Sequence, residues 1–92
     1  MKRTIKFHTD IKFTGGPRGE YKHVTADKYY LHVIDIAHKH GATVKNIKIY
    51  EWTSDKYSKV TFNCSDDAQW ERLAIDFLTC FHGYIRDIEV KA

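Results

Sequence analysis

Two segments decide the fold of this chain: TVKNIKIYEW, residues 43–52, and YSKVTFNC, residues 57–64. Apolar and polar residues alternate in both, which is the pattern of a β-strand with one buried face and one open face. The connection between them, TSDK, is short and contains turn-forming residues. We therefore predict a β-hairpin over residues 43–64 and place the other elements around it.

A helix is predicted before the hairpin. Thr25 is a favourable N-cap, Asp27 lies in the first turn, and Gly41 supplies the C-terminal stop. The predicted inner face consists of Tyr30, Leu31, Val33, Ile34 and Ala37, with Tyr29 and Ile36 at its margins. Together they cover an arc of about 200° on the helix. One sheet does not cover so wide an arc. The sequence therefore leaves open a second contact of this helix, such as a homodimer interface.

A second helix is predicted after the hairpin. Ser65 is the expected N-cap, and Asp66 and Asp67 suit the positive end of the helix dipole. The apolar residues follow the i, i+3, i+4, i+7 spacing of a helix, and Gly83 ends it. These apolar residues are Trp70, Leu73, Ala74, Phe77, Leu78 and Phe81.

A strand is predicted at each end of the chain. TIKFHTDIKF, residues 4–13, alternates strictly, and YIRDIEVK, residues 84–91, closes the chain. Between the first strand and the first helix, KFTGGPRGEYKH, residues 12–23, indicates a turn followed by a short return strand. The order predicts an α+β fold, a ferredoxin-like two-layer sandwich (βαββαβ) with an extra N-terminal β-hairpin extension. We expect residues 1–92 to form a single domain.

Composition and charge narrow the functional classes. No apolar run approaches the ~20 residues that span a bilayer, and the basic N-terminus has no continuous apolar region, so we expect an intracellular, cytoplasmic protein. Cys64 and Cys80 are expected to be reduced thiols. Residues 1–63 hold twelve Lys/Arg against six Asp/Glu, whereas residues 64–92 hold three against six. This asymmetry indicates a surface oriented towards an anionic partner.

The sheet face away from the helices is the predicted site. Alternation turns lysines and aromatic residues towards it, a combination that suits nucleic acid because rings stack on bases and ammonium groups meet phosphates. Such a face suits a protein interface as well. Arg18, in the glycine-rich loop, is expected to be an exposed cation and is included in the predicted site. The predicted partner-binding residues are Lys6, His8, Lys12, Arg18, Lys48, Tyr50, Trp52, Tyr57 and Lys59.

The topology and the open face resemble those of RNA-recognition motif domains. In that family the third strand carries Lys/Arg-Gly-Phe/Tyr-Gly/Ala-Phe/Tyr-Val-x-Phe/Tyr, and DKYSKVTF, residues 55–62, is the corresponding stretch here. Tyr57, Val60 and Phe62 match, whereas Lys56 replaces the glycine and Lys59 the second aromatic. The resemblance implies a stand-alone RNA-binding module that uses this face.

A small enzyme is the catalytic alternative. Acylphosphatases share the predicted topology and size and bind phosphate in a glycine-rich loop after the first strand, and TGGPRG places Arg18 in the corresponding position. The chain departs from that family because Pro17 removes a backbone N–H and EYKHVTADK follows in place of a helix start. Asn46 and Asn63 are the residues available to orient water. We predict a non-catalytic protein with no cofactor. No metal site is predicted either, because His38 and His40, at i and i+2, face apart on a helix and cannot share an ion.

In length, single-domain α/β build and mild positive charge, the chain resembles small phage anti-CRISPR proteins, including ones directed at type I-F surveillance complexes. That family has no common motif, so it assigns no residue here. The resemblance implies an inhibitor in the host cytoplasm. Such a protein would contact subunits or guide RNA of a CRISPR–Cas surveillance complex and block its binding to target DNA.

Overall fold

The computed structural model describes residues 1–13, 21–23, 26–50 and 54–91. The elements are β1 (Lys2–Thr9), β2 (Ile11–Phe13), β3 (Tyr21–His23), α1 (Ala26–Lys39), β4 (Thr43–Lys48), β5 (Ser58–Asn63), α2 (Asp67–Cys80) and β6 (Ile85–Lys91). Four strands form an antiparallel sheet in the order β4-β5-β1-β6, and β2 pairs with β3 in a separate two-stranded sheet. The predicted α+β class is confirmed.

The core lies between the sheet and the two helices. Phe7 of β1 contacts the rings of Tyr29 in α1 and Phe77 in α2, at centroid distances of 6.5 and 5.8 Å. Phe62 of β5 lies 6.2 Å from the ring of Trp70. Both helices therefore cover the same face of the sheet. Neither of the helices among the described residues has the length and apolar character needed to cross a bilayer.

The first strand is shorter than predicted. Residues 4–13 were expected to form one strand, but β1 ends at Thr9 and residues 11–13 pair with β3 instead. The neighbours of β1 explain the break, since β5 begins at Ser58, opposite Phe7, and β6 begins at Ile85, opposite Thr9. Among the described residues, no strand of the four-stranded sheet forms a ladder with the chain beyond Thr9. Residues 11–13 carry on the alternating sequence pattern, but they belong to the β2–β3 pair.

The strand predicted over residues 43–52 is also shorter, because β4 ends at Lys48. Two buried hydroxyl groups bind the backbone of Tyr50 in place of a strand partner. The Tyr50 N–H donates to Ser58 Oγ at 2.9 Å, and Thr9 Oγ1 donates to the Tyr50 carbonyl at 2.8 Å. These bonds satisfy backbone groups that the sheet no longer pairs.

The predicted inner face of α1 is partly wrong. Tyr29, Val33, Ile36 and Ala37 are buried, whereas Leu31 is 64% exposed and Ile34 is 50% exposed. Tyr29 sets this rotation, because its ring stacks on Phe81 at 5.3 Å and its hydroxyl donates to the Tyr84 carbonyl at 2.6 Å. Burial raises the pKa of Tyr29 to about 12, so the hydroxyl stays protonated as a donor even in alkaline solution above the ordinary pKa of 10.0.

The N-cap of α2 is Asp66 and not the predicted Ser65. The Asp66 side chain accepts a hydrogen bond from the Gln69 N–H at 2.7 Å. Ser65 still takes part, since its N–H and hydroxyl both donate to the Gln69 side-chain oxygen. The predicted apolar stripe of α2 is confirmed, with Trp70, Leu73, Phe77 and Phe81 buried and Ala74 and Leu78 packed against the core.

The two helices are joined at one end through Asp76 of α2. Its carboxylate accepts from His40 Nε2 at 2.8 Å, from Cys80 Sγ at 3.4 Å, and lies 3.3 Å from Lys39 Nζ. The hydrogen bond from His40 is the main cause that lowers the pKa of Asp76 below its usual 3.8. A carboxyl group whose pKa is lowered by folding stabilises the protein above the unfolded-state pKa, and this contribution is lost as the pH falls through the folded-state value.

We expect Asp76→Asn to reduce the free energy of unfolding by about 1–2 kcal/mol at pH 7, because a charge-assisted hydrogen bond and an ion pair are lost. The difference from the wild type should shrink as the pH falls from 3.8 towards the lowered folded-state pKa of Asp76, because protonation of the wild-type carboxyl group removes the same charge. Urea denaturation at pH 7 and pH 3 measures both values. Asp35→Asn, at an exposed position of α1, is the matched control, and an equal loss in both variants would contradict this role of Asp76.

Candidate nucleic-acid interface

A row of charged side chains crosses all four strands on the open face of the sheet. Lys48 of β4 is in register with Lys59 of β5, Lys59 with Lys6 of β1, and Lys6 with Glu89 of β6. Residues directly opposite each other on neighbouring strands have Cβ atoms about 4.5–5.5 Å apart and project from the same face. We call Lys6, Lys48 and Lys59 the lysine row.

The lysine row is electrostatically unfavourable in the isolated protein. Like charges directly opposite each other destabilise a sheet, and Lys59 lies between two lysines. Lys6 is compensated by Glu89, whose carboxylate lies 3.5 Å from its ammonium group. Among the described residues, no carboxylate lies within 4.0 Å of the Lys48 or Lys59 ammonium group. Two exposed lysines therefore meet solvent without a described counter-charge.

Tyr57 provides an aromatic ring at the margin of the lysine row. It lies just before β5, is 38% exposed, and stacks on His8 of β1 with ring centroids 4.1 Å apart. The Lys6 ammonium group lies 4.7 Å from the centroid of the same ring. An exposed ring that stacks on an imidazole and is contacted by a cation combines two features of sites that bind nucleobases.

His8 was predicted as an exposed contact residue, but it is 9% exposed and lies beneath Tyr57. The reason is that Tyr57 precedes β5 and folds over the end of β1, so the ring covers the imidazole. His8 Nδ1 is buried and has no hydrogen-bond partner among the described residues. His8 supports the stacking surface and does not form part of its exposed area.

A second aromatic residue, Tyr50, lies at the end of the row and is half-buried. The ammonium groups of Lys48 and Lys56 lie 5.5 and 5.6 Å from its ring centroid. Its backbone is fixed by the two hydroxyl contacts from Ser58 and Thr9. Two lysine ammonium groups thus lie near the Tyr50 ring at the edge of the open face. One of them belongs to Lys56, which was not among the predicted partner-binding residues.

The structure brings together some of the nine predicted residues. Lys6, His8, Lys48, Tyr50, Tyr57 and Lys59 lie on or around one end of the open face. Lys12 lies on β2, outside the four-stranded sheet, and its side chain is not among those described. Arg18 and Trp52 lie outside the described residues, as do Thr25 and the glycine-rich turn at residues 14–20.

Sequence reasoning missed the contribution of β6 to the face. Glu89 lies at the β6 end of the lysine row. Arg86 is in register with His8, and its Nε lies 4.0 Å from the Asp10 carboxylate. The pairing of β1 with β6 shifts register between Lys6 and His8, and Asp87 there has a φ of 52°. The alternation of YIRDIEVK does not reveal this bulge. The charge pattern of the last strand could therefore not be assigned to a face.

The stretch that resembles the RNA-recognition motif is divided between the core and the surface. Val60 and Phe62 are fully buried, whereas Tyr57 and Lys59 are exposed. Phe7, the candidate aromatic of the first strand, is also fully buried. In this part of the face Tyr57 is the exposed ring, and it is flanked by lysines.

No protein-family model, curated protein or solved structure matches this chain. Within the described part of the chain, no three His, Cys, Asp or Glu side chains converge as metal ligands would.

Proposed function

We propose that this protein is a non-catalytic binding protein that contacts single-stranded RNA, free or within a ribonucleoprotein complex, through the lysine row and Tyr57. The observation that carries this proposal is the register Lys48–Lys59–Lys6 across adjacent strands. A protein that folds at the expense of cross-strand repulsion gains from an anionic partner that neutralises it. A phosphate backbone supplies closely spaced negative charges, and its bases supply faces for Tyr57.

Single-stranded nucleic acid fits this face better than a duplex. The lysines and the ring lie on the broad face of a four-stranded sheet, whereas the major groove of a duplex admits a helix or a two-stranded ribbon. Stacking on Tyr57 requires a base that is not enclosed in a duplex, whereas single strands present their bases freely. Double-stranded DNA of the same length is therefore the natural comparison ligand.

The state of the two thiols speaks against a cysteine nucleophile. Burial raises the pKa of Cys64, and burial together with the hydrogen bond to Asp76 raises the pKa of Cys80. A raised pKa keeps a thiol protonated and unreactive at neutral pH. Neither cysteine is thus prepared as a nucleophile.

A ferredoxin-like topology is part of the same proposal. When the four strands of the main sheet are numbered 1 to 4 along the chain, their order is 2-3-1-4, and a helix follows the first and the third. Each helix therefore links two parallel strands with an antiparallel one between them. This arrangement leaves one sheet face open for a partner.

One specific form of the proposal is an anti-CRISPR inhibitor in the host cytoplasm that blocks target DNA binding by a CRISPR–Cas surveillance complex. The length, α/β build and mild positive charge of this chain support the inhibitor form of the proposal. Capture of the purified complex by the tagged protein, much tighter than its binding of free RNA, is the result expected of such an inhibitor. Binding of free RNA and no capture of the complex is the result expected of an RNA-binding module.

Tyr57→Ala should weaken the binding of a 12-nucleotide single-stranded RNA about tenfold, because one stacked base contributes about 1–3 kcal/mol. Tyr57→Phe retains the ring and should bind nearly as tightly as the wild type. Fluorescence anisotropy with labelled RNA measures all three affinities, and circular dichroism checks that each variant is folded. Equal affinities of the alanine and phenylalanine variants would exclude the ring from the site.

A further inference from the structure

An open groove of about 520 Å³ lies between α1 and the edge strand β4. Its wall and floor are mainly apolar, formed by Ile34 and Ala37 from the helix and by Val44 and Ile47 from the strand. Ile34 is 50% exposed although it points to this groove, and His38 lies at its margin. The groove is separate from the open face, because it lies on the helix side of the sheet.

The outer edge of β4 borders this groove. Among the described residues, β4 pairs with β5 alone, and no described strand pairs with its other side. An unpaired strand edge offers backbone N–H and C=O groups to a further strand. A peptide that lay along β4 would place every second side chain on the helix side, in the groove, and the others on the open face.

The charges at the two ends of the lysine row differ. At the β6 end, Glu89 lies 3.5 Å from Lys6 and compensates its charge. At the β4 end the row stops at Lys48, which has no described carboxylate within 4.0 Å, and Lys45 on the same strand is also exposed. A strand added beside β4 would therefore meet Lys48 on its open-face side and, on its groove side, mainly apolar residues with Lys45 among the lining.

We propose that α1 and β4 bind an extended segment of a partner protein in which apolar and acidic residues alternate. The apolar residues occupy the groove over Ile34, Val44 and Ile47. The acidic residues lie on the open face beside Lys48 and provide there the counter-charge that Glu89 provides for Lys6. Backbone hydrogen bonds to the free edge of β4 fix the register.

Selectivity for an acidic segment follows from the same features. The pairing of β4 with β5 shifts register between Val44 and Asn46, which leaves Lys45 as an extra residue in the edge strand. A bulge and exposed lysines on an edge discourage pairing with arbitrary strands. A segment that carries carboxylates overcomes this barrier, whereas a neutral or basic one does not.

The test uses two fluorescein-labelled octapeptides, one alternating valine with glutamate and one alternating valine with lysine. We expect saturable binding of the valine–glutamate peptide, at least tenfold tighter than that of the valine–lysine peptide. Ile34→Asp should weaken this binding at least tenfold. Ile75→Asp is the matched control, because Ile75 is 67% exposed on α2 and does not line the groove. Amide resonances of residues 44–48 should shift on binding.

Three results would overturn the inference: no saturable binding of the valine–glutamate peptide, equal binding of both peptides, or equal affinities of Ile34→Asp and Ile75→Asp. The inference shares Lys48 with the proposed RNA site but does not rest on RNA binding, because Ile34→Asp lies on the helix side of the sheet and should reduce the affinity for single-stranded RNA less than about twofold. A protein that binds the peptide and not RNA would refute the proposed function alone, and the opposite result would refute this inference alone.

Discussion

Lys59→Glu should weaken the binding of single-stranded RNA about 25-fold and, at the same time, raise the free energy of unfolding of the protein. The loss of one phosphate contact lowers affinity about fivefold at 0.1 M salt, since the exponent for single strands is about 0.7 per contact. Repulsion between the new carboxylate and the RNA contributes a factor that we take to be of the same order.

The gain in stability has its origin in the register of the sheet. In the variant the new carboxylate at position 59 lies between Lys48 and Lys6, and Lys6 keeps Glu89 on its other side. Two like-charged cross-strand pairs thus become two oppositely charged pairs. A cross-strand pair contributes about 0.2–1 kcal/mol, so we expect an increase of about 0.5–1 kcal/mol in the free energy of unfolding. Urea denaturation measures this value, and RNA anisotropy measures the affinity on the same samples.

Arg72→Glu is the matched control for this variant. Arg72 is exposed on α2, in the layer opposite the open face, and the substitution changes the net charge by the same two units. We expect it to reduce RNA affinity less than threefold, through the weaker long-range field alone. If both variants weakened binding equally, the effect would belong to net charge and not to the lysine row.

Phe77→Ala should lower the free energy of unfolding by about 3–5 kcal/mol, which is the usual cost of removing a large aromatic side chain from a core. Phe77 is fully buried in α2, and its ring contacts those of Phe7, Phe62 and Phe81 at centroid distances of 4.7–6.1 Å. The substitution thus leaves a cavity where the sheet meets the second helix.

Ile75→Ala on the same helix provides the comparison for Phe77. Ile75 is 67% exposed, and its truncation should cost less than about 0.5 kcal/mol. Chemical denaturation of both variants gives the two values. A loss of less than about 1 kcal/mol for Phe77→Ala would show that α2 does not pack on the sheet as described.

The strands could be predicted where alternation was strict and both sheet neighbours were present. In β5, Ser58, Val60 and Phe62 are buried and Lys59 and Asn63 exposed, in agreement with the predicted parity. The end of β1 could not be predicted, because it depends on where β5 and β6 begin. The same limitation applies to β4, which ends where Ser58 and Thr9 bind the backbone of Tyr50.

The orientation of α1 illustrates a second limit. Seven apolar residues over about 200° are compatible with several rotations of the helix, and Tyr29 was placed at the margin. In the structure Tyr29 is central, because it stacks on Phe81 and binds the Tyr84 carbonyl, a residue far away in the sequence. Leu31 and Ile34 are exposed as a consequence.

The candidate site was predicted as a set of residues but not as an arrangement. Alternation placed Lys6, Lys48 and Lys59 on the open face, yet their alignment in one row depends on the register of two strand pairs. The burial of His8 under Tyr57 and the position of Glu89 depend on long-range contacts that local sequence does not encode.

The salt dependence of RNA binding tests the central claim most directly. The affinity of the wild-type protein for a 12-nucleotide single-stranded RNA should be measured by anisotropy between 50 and 200 mM KCl. Two to three phosphate contacts predict a slope of log affinity against log salt of about −1.4 to −2.1. No saturable binding at 50 mM KCl, or a slope near zero, would contradict an RNA-binding role for the lysine row.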